Sequence, residues 1–353
     1  MKIAVITCYH DPDYIRARAI RAALASLENV EVIVIKNSHS NMLRYPEVLW
    51  KILKTRITRS PDAYLLTFRG YEMLPFVRIL SIGKPLIFDE LINMIEWAVY
   101  EHHKFGGTVA KLIGWCYHLG LQTCRIILAD TDSHADVSSA ISKIDRRKYA
   151  VIPISTDETV FRYHQSVPPN PGAKFRVFYY GNMRRLNGLQ YFIAAAELLK
   201  ANPNITFLIG GKTEKYEQYI IDAQSRGAHI EYRQWIPFDE LPGLVERSSI
   251  SVGGPFGNTY QSQHVINGKV FQFLASGRVA LVGQAKNTGF FTNHVNCLLV
   301  PQADAQAIAT EIDWAYQNQD QLPAIALAGR ALYDERYSNQ VIAEDLRQLL
   351  QGL

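Results

Sequence analysis

The chain has 353 residues, 48% of them hydrophobic, and this length and composition predict two domains that each bury a core. A formal net charge of +4 is too weakly basic for a dedicated nucleic-acid-binding protein, so we expect no nucleic-acid partner. The same charge suits anionic small ligands or an anionic membrane surface. The N-terminal apolar run is too short for a signal peptide, and no run is long enough to span a bilayer. We therefore expect a cytoplasmic protein, with the inner face of the membrane as a further location.

Short apolar runs alternate with longer amphipathic stretches from one end of the chain to the other. Six runs lie in the first half: KIAVITCY, VEVIVIKN, AYLLTF, KPLIFDE, RIILAD and YAVIPIS. Six more follow in the second half: FRVFYYGN, ITFLIGG, HIEYRQWI, ISVGGP, VALVGQ and NCLLVPQ. Runs this short, rich in Val, Ile, Tyr and Phe, are typical of buried parallel strands. Their alternation with helices predicts two doubly wound α/β sheets.

The segment HQSVPPNPGAK separates the two halves, and its three prolines and missing apolar periodicity predict an interdomain linker. We expect an N-terminal Rossmann-like domain over residues 1–163 and a linker over residues 164–174. A second Rossmann-like domain is predicted over residues 175–337, followed by a helix over residues 338–353. In open α/β sheets, ligands bind beyond the carboxyl ends of the strands, so candidate residues are those that follow each run.

Two glycine turns follow predicted strands in the second half. GNMRRLNG, from Gly181 to Gly188, allows close backbone approach to a ligand, and Arg184 and Arg185 could neutralise a diphosphate. LIGGK repeats the pattern of a strand, glycines and a cation at Lys212. It lacks the third glycine of a dinucleotide fingerprint and is no P-loop. The alternative for both segments is an ordinary tight turn with basic residues at the surface.

In the first half, His10 follows the first predicted strand, where a histidine suits a general base or a hydroxyl ligand. Asp89 is one of three acids at strand ends that could face a substrate; the others are Glu72 and Glu90. For each of these residues the alternative is a solvated turn. The tripeptide Asp130–Asp132 could bind a divalent metal, or could begin a helix.

The stretch RYPEVLWKILKTRITR, Arg44–Arg59, combines five basic residues with Leu49, Trp50, Ile52 and Leu53. This composition suits a helix that lies on an anionic membrane surface. The alternative is a helix of the first domain whose Leu and Trp side chains pack inward.

The stretch GNTYQSQHVINGKVFQFLASGRVALVG, Gly257–Gly283, has no acidic residue and places Lys269 before a short apolar helix. It resembles the most recognisable motif of the retaining GT-B glycosyltransferases, in which a Lys precedes a helix of the second domain. Three other segments are similar to that superfamily in the expected order: YYGNMRRLNGLQYFIAAAELL, IEYRQWIPFDELPGLVERSSISVGG and NCLLVPQADAQAIATEI.

The resemblance implies a GT-B fold, in which two Rossmann-like domains face each other across a cleft and the C-terminal helix crosses back to the first. It implies that the second domain binds a UDP- or GDP-linked sugar as donor substrate. The first domain would bind a glycan, lipid-linked or small-molecule acceptor. Transfer would proceed with retention, and protein cations would neutralise the departing diphosphate. We therefore expect no metal and no cofactor, and we assign Asp130–Asp132 to a helix start.

The candidate site follows from these motifs. Its predicted catalytic residues are Lys269, Arg184, His10 and Asp89. Its predicted donor-binding residues are Gly181, Asn182, Arg185, Gly211, Lys212, His264, Asn267, Lys269 and Gln272.

The chain departs from the family pattern at several of these positions. His264 and Gln272 stand where the family has a pair of Glu residues, and Asn182 stands where it has an Arg. A Glu accepts two hydrogen bonds from ribose. A Gln has one acceptor oxygen, so it can accept one of them, and this hydrogen bond is not charge-assisted. Two alternatives remain open: a degenerate protein that binds nucleotide sugar or a partner enzyme without turnover, and a nucleotide-sugar epimerase.

Overall fold

A computed structural model describes residues 1–96, 107–165, 173–181, 183–212 and 216–353, without the side chains of residues 107–110. The chain divides into two compact units. Unit 1 comprises Met1–Ser155 and Asn339–Leu353, and unit 2 comprises Thr156–Ser338. Among the described residues, no helix is both long enough and apolar enough to cross a membrane.

Unit 1 contains a parallel sheet of six strands. Its elements, in chain order, are β1 (Lys2–Thr7), α1 (Ile15–Ala25), β2 (Glu31–Lys36), α2 (Arg44–Arg59), β3 (Ala63–Leu66), α3 (Leu74–Leu80), β4 (Leu86–Asp89), α4 (Met94–Glu96), α5 (Gly107–Thr123), β5 (Ile126–Ala129), α6 (Asp132–Ser142) and β6 (Tyr149–Val151). The strand order is β2-β1-β3-β4-β5-β6. Strands β1 and β2 pair in register from Lys2 opposite Glu31 to Thr7 opposite Lys36.

The buried strand residues of unit 1 alternate between two faces of the sheet, as a period of two requires. Ile3 and Val5 of β1 pack with α1, whereas Ala4 and Ile6 pack in the other core. That second core contains residues of α2, α3, α5 and α6. These four helices therefore lie on the same face of the sheet.

Unit 2 contains a second parallel sheet of six strands. Its elements are β7 (Phe175–Tyr180), α7 (Leu189–Leu198), β8 (Ile205–Gly210), α8 (Glu217–Ser225), β9 (Ile230–Arg233), α9 (Leu241–Glu246), β10 (Ile250–Gly254), α10 (Gly268–Ala275), β11 (Ala280–Gly283), β12 (Leu298–Val300), α11 (Ala305–Gln317) and α12 (Leu322–Arg336). The order β12-β11-β10-β7-β8-β9 reverses direction between β7 and β10. The carboxyl ends of these two strands are therefore the place where ligands bind in such sheets.

The boundary between the units lies before the predicted one at residue 163. Phe161 is fully buried and packs edge-on against Phe238, and the Tyr333 hydroxyl donates to Glu158 at 2.9 Å. These contacts hold residues 156–163 in unit 2, and a sequence pattern cannot anticipate them. Residues 166–172 of the predicted linker lie outside the described residues.

The last helix, α13 (Asn339–Gln351), belongs to unit 1. It packs against α1, and Ile342 and Leu346 complete the core on that face of the first sheet. Its apolar residues explain why the C-terminal segment returns to the first sheet after the whole of unit 2.

Candidate functional site

Strands β7 and β8 both end in a glycine whose backbone other residues rarely adopt. Gly181 has φ +135° and Gly211 has φ +132°. A Cβ on Gly211 would overlap the carbonyl oxygen of Gly181. Glycine is therefore required at residue 211 for steric as well as conformational reasons. The two turns pack backbone against backbone at the carboxyl end of the sheet.

Lys269 lies in the first turn of α10 and reaches the end of β7. Its Nζ donates to the carbonyl oxygen of Tyr180 at 3.1 Å and lies 3.7 Å from the centroid of the Tyr179 ring. A Cβ on Gly181 would lie 3.7 Å from the same Nζ, so the ammonium group lies over the first glycine turn. This position is next to the point where the strand order reverses.

The ammonium group of Lys269 has no ion-pair partner among the described residues. The side chain keeps some exposure to solvent, yet protein surrounds its charged end, and this desolvation lowers the pKa of Lys269 to about 7. A cation in this state gains most from an anionic ligand, which would supply the missing counter-charge. The N-terminus of α10, where Lys269 lies, favours an anion as well.

Three more predicted cations lie beside the glycine turns. Arg184 and Arg185 follow the Gly181 turn and Lys212 follows the Gly211 turn, and all three are exposed. Within the described ranges, none of them makes an ion pair. The predicted contact at Asn182 lies outside the described residues.

Asn267 fixes the loops of the site to one another. Its Nδ2 donates to Oδ1 of Asn187 at 2.9 Å and to the carbonyl oxygen of Gly253 at 2.8 Å. The loop after β10 binds the same segment, because the backbone N–H of Phe256 donates to the Asn187 carbonyl oxygen at 3.2 Å. Asn187 therefore joins the two loops through both its side chain and its backbone.

The two residues that replace the Glu pair are both buried. Gln272 is in the middle of α10, and its amide oxygen accepts a hydrogen bond from the Tyr180 hydroxyl. A ribose hydroxyl would therefore compete with the Tyr180 hydroxyl for this amide oxygen. The His264 ring lies 4.8 Å from the ring of Tyr260, and its carbonyl oxygen accepts from Asn287.

Asp89 does not have the role predicted for it. The carboxylate is fully buried at the end of β4, where it accepts from Nε of Arg16 at 2.8 Å and from the backbone N–H of Phe68 at 3.3 Å. Burial raises the pKa of Asp89, and the facing Arg16 guanidinium opposes that shift. An inaccessible carboxylate that is held in this way cannot touch a substrate.

The other acids at the strand ends of unit 1 have partners as well. Glu90 is buried and accepts from the hydroxyls of Tyr117 and Ser138, whereas Glu72 is exposed and accepts from Tyr45. These contacts remove Glu90 from the set of acids that could face a substrate.

The tripeptide Asp130–Asp132 begins a helix. Thr131 is the N-cap of α6, and its side chain accepts from the backbone N–H of His134 at 3.1 Å. Asp130 pairs with Nδ1 of His134 at 2.6 Å, and Asp132 pairs with Arg146 at 2.8 Å. Burial lowers the pKa of His134, whereas the Asp130 carboxylate raises it. The net result is a pKa raised to about 9. In the part of the chain that the structure describes, no group of three or more metal-ligating side chains occurs.

The sequence prediction missed an aromatic cluster at the carboxyl ends of β1 and β3. The ring of Tyr9 lies 5.7 Å from that of Tyr14 and 6.1 Å from that of Phe68, and the exposed His10 lies beside it at 4.0 Å. The Arg69 guanidinium lies over the Tyr9 ring at 5.5 Å, and its backbone has the unusual φ of +60°. The sequence did contain a signal for this cluster, because an aromatic residue and a basic residue follow each of the two strands.

The family comparison decides the assignment of unit 2. Residues 174–318 match the family model described as glycosyl transferases group 1. Unit 2 is a group 1 glycosyl transferase domain. This match and the GT-B fold confirm the family resemblance seen in the sequence. No curated protein sequence matches it.

Solved structures extend the similarity to the whole chain. A sucrose-phosphate synthase from Thermosynechococcus elongatus is 14% identical with a TM-score of 0.76, over 100% of this chain and 98% of that one. HepE from Anabaena, in complex with UDP, is 13% identical with a TM-score of 0.73 over 100% of both chains. A glycosyltransferase from Rickettsia africae is 12% identical with a TM-score of 0.68, over 99% and 97%. At these identities the likeness establishes the fold.

Proposed function

We propose that the protein transfers a sugar from a nucleoside-diphosphate sugar to an acceptor hydroxyl, with retention and without a metal ion. The observation that carries this proposal is Lys269, a desolvated cation without a counter-ion at the point where the strand order of unit 2 reverses. A diphosphate is the ligand whose charge and binding position suit this place.

Unit 2 would bind the diphosphate through backbone and cations together. The turns at Gly181 and Gly211 have no side chain that would block close approach. Lys269 would neutralise the charge that develops on the departing diphosphate, aided by Arg184 or Arg185. Because its pKa is about 7, Lys269 takes up a proton when the anion binds near neutral pH. These groups supply the stabilisation for which other sites use a metal ion.

Uridine is the base that we propose first for the donor. Among the structures with this fold, HepE from Anabaena has been solved with UDP and with UDP-glucose. The second of these has a TM-score of 0.71 over 100% of both chains. A guanosine-linked sugar is the competing donor that a binding screen must include.

The carboxyl edge of the first sheet is the side that we propose for the acceptor. Tyr9 and Phe68 offer aromatic ring faces, and Arg69 offers a cation that makes no ion pair among the described residues. Aromatic surfaces with a few polar groups are typical of small-molecule sites, and here they suit a glycan or a lipid-linked sugar. His10 is the exposed polar group that could contact the attacking hydroxyl.

The test is acceptor-dependent release of nucleoside diphosphate in the presence of a chelator. A thermal-shift screen of nucleotides and nucleotide sugars first selects the donor, because a ligand of the native state raises Tm. We expect the wild type to release diphosphate only when glycan acceptors are added, and Lys269→Ala to lose most of this activity.

Three outcomes would contradict the proposal. Donor binding without turnover for any acceptor would favour the degenerate binding protein, and donor consumption without an acceptor would favour an epimerase. Activity that the chelator abolishes and manganese restores would show that the leaving group needs a metal.

A further inference from the structure

Helix α2 turns an apolar stripe toward solvent. Trp50, Leu53 and Ile57 are exposed and recur at helical spacing, and Trp50 and Ile57 are 65% and 72% exposed. The core contact of α2 is made instead by Val48 and Ile52. The helix is thus apolar on two sides, and among the described residues of the unit only one of these sides packs in the core.

Two neighbouring helices show the same arrangement. Phe76 and Ile79 are exposed on α3, and Ile82 is exposed just after it. On α5 the exposed apolar residues are Leu112, Trp115 and Leu119, again at helical spacing. Isolated exposed apolar residues are ordinary, but three stripes on adjacent helices are not.

The three stripes belong to one surface. Helices α2, α3 and α5 cover the same face of the sheet, and α3 packs against both of the others. Arg56 of α2 donates to the carbonyl oxygens of Leu80 and Ile82, which holds the end of α3 beside α2. A Cβ on Gly120 of α5 would press on Leu74 of α3, so these two helices are in close contact.

The charge of this surface is one-sided. The three helices carry seven basic residues and a single acid, Glu47, which is already paired with Lys51 at 2.6 Å. Lys54 and Lys111 are exposed on α2 and α5, and Lys84 is exposed in the turn after α3. A second copy of the same surface would repel these cations, whereas an anionic surface would attract them.

We propose that this three-helix surface, formed by α2, α3 and α5, docks onto an anionic lipid bilayer. The apolar stripes would enter the interfacial region, where Trp50 and Trp115 are suited to bind, and the lysines would contact lipid phosphates. The protein thereby attaches peripherally to the bilayer. The attachment itself does not depend on the proposed transfer activity.

The experiment is co-sedimentation of the purified protein with vesicles. Wild type should bind vesicles of phosphatidylcholine with phosphatidylglycerol, bind less at high salt, and stay in solution with phosphatidylcholine alone. The double variant Trp50→Glu, Ile57→Glu should bind the anionic vesicles at least tenfold more weakly. Its matched control is Trp235→Glu, Leu327→Glu, which changes two equally exposed apolar residues of unit 2 and should bind like wild type.

A second variant shows whether the loss of binding comes from misfolding. The triple variant Lys54→Glu, Lys84→Glu, Lys111→Glu changes only exposed lysines, and its affinity for anionic vesicles should also fall at least tenfold. Lys51 and Arg56 are left unchanged because they hold Glu47 and the end of α3. The proposal is overturned if wild type stays in solution with anionic vesicles, or if both variants bind like wild type. A wild-type dimer that Trp50→Glu, Ile57→Glu dissociates, without vesicle binding, would overturn it in favour of self-association. Turnover of a soluble acceptor should be the same in these variants, which separates this test from that of the transfer activity.

Discussion

Lys269 is the residue on which the account of unit 2 depends. Its ammonium group has only the Tyr180 carbonyl oxygen and the Tyr179 ring as partners in the described part of the chain, so in the absence of ligand its charge is poorly compensated. Such a group stabilises a bound anion and destabilises the empty fold. Both consequences can be measured separately.

Replacement of Lys269 by Met should stabilise the unliganded protein. The pKa is lowered in the folded state to about 7 from an unfolded value of 10.5, so folding opposes protonation. The destabilisation of the folded state by Lys269 is therefore absent above pH 10.5. It grows as the pH falls toward 7 and is constant below pH 7. Chemical denaturation at several pH values should show Lys269→Met more stable at pH 7, by on the order of a few kcal/mol, with the gain vanishing near pH 10.5. An equal or lower stability at pH 7 would contradict the uncompensated charge.

Gln272 and Tyr180 should behave as a coupled pair. Gln272→Leu leaves the Tyr180 hydroxyl without its acceptor, which should cost about 1–3 kcal/mol of unfolding free energy. Tyr180→Phe removes the hydroxyl, so the double variant should recover much of that loss. Calorimetry of nucleotide binding to Tyr180→Phe then tests the ribose contact, since the amide oxygen is freed and affinity should be kept or improved. Additive effects on stability would show that the two side chains do not interact.

At the scale of elements, the sequence predicted the strands well because each is a short apolar run that is buried. All twelve runs form strands, in two parallel sheets of six. The glycine turns were also predictable, since Gly181 and Gly211 directly follow such runs. Their mutual packing could not be predicted, because it joins residues at the ends of two different strands.

The glycine turns give a prediction at this scale. Gly211→Ala places a Cβ against the Gly181 carbonyl oxygen and forces φ +132° on a residue that rarely adopts it, so Tm should fall by several degrees. Nucleotide binding should weaken with it, because the Gly181 turn would have to move. Gly289→Ala is the control, as its Cβ would meet no atom within 4 Å, and its Tm should match wild type. A Gly211→Ala protein as stable and as active as wild type would rule out a role for the close approach.

Helix α2 shows what an amphipathic pattern leaves undecided. From the sequence alone, the pattern of Leu49, Trp50, Ile52 and Leu53 does not decide whether these side chains pack in the core or face a membrane. The structure buries Ile52 and exposes Trp50 and Leu53, because neighbouring positions on a helix point about 100° apart. The inward interpretation therefore holds for Ile52 and fails for Trp50, and the membrane interpretation stays a prediction.

At the scale of the whole molecule, the fold was predictable from the alternation of strands and helices, and part of the site was not. The sequence predicts an accessible Asp89 because it follows a strand, but its partner Arg16 lies 73 residues earlier in the chain. Contacts of this kind depend on the tertiary fold. Likewise, Phe161 joins unit 2 through Phe238, which moved the boundary away from the proline-rich segment.

We propose that unit 2 binds a nucleoside diphosphate through Lys269 without a metal. The most direct measurement is isothermal titration calorimetry of UDP and of uridine, in chelator, with wild type and Lys269→Ala. We predict that wild type binds UDP in chelator and that the variant binds UDP at least tenfold more weakly, while the affinity for uridine stays the same. UDP binding that requires a metal, or that Lys269→Ala leaves unchanged, would contradict the account.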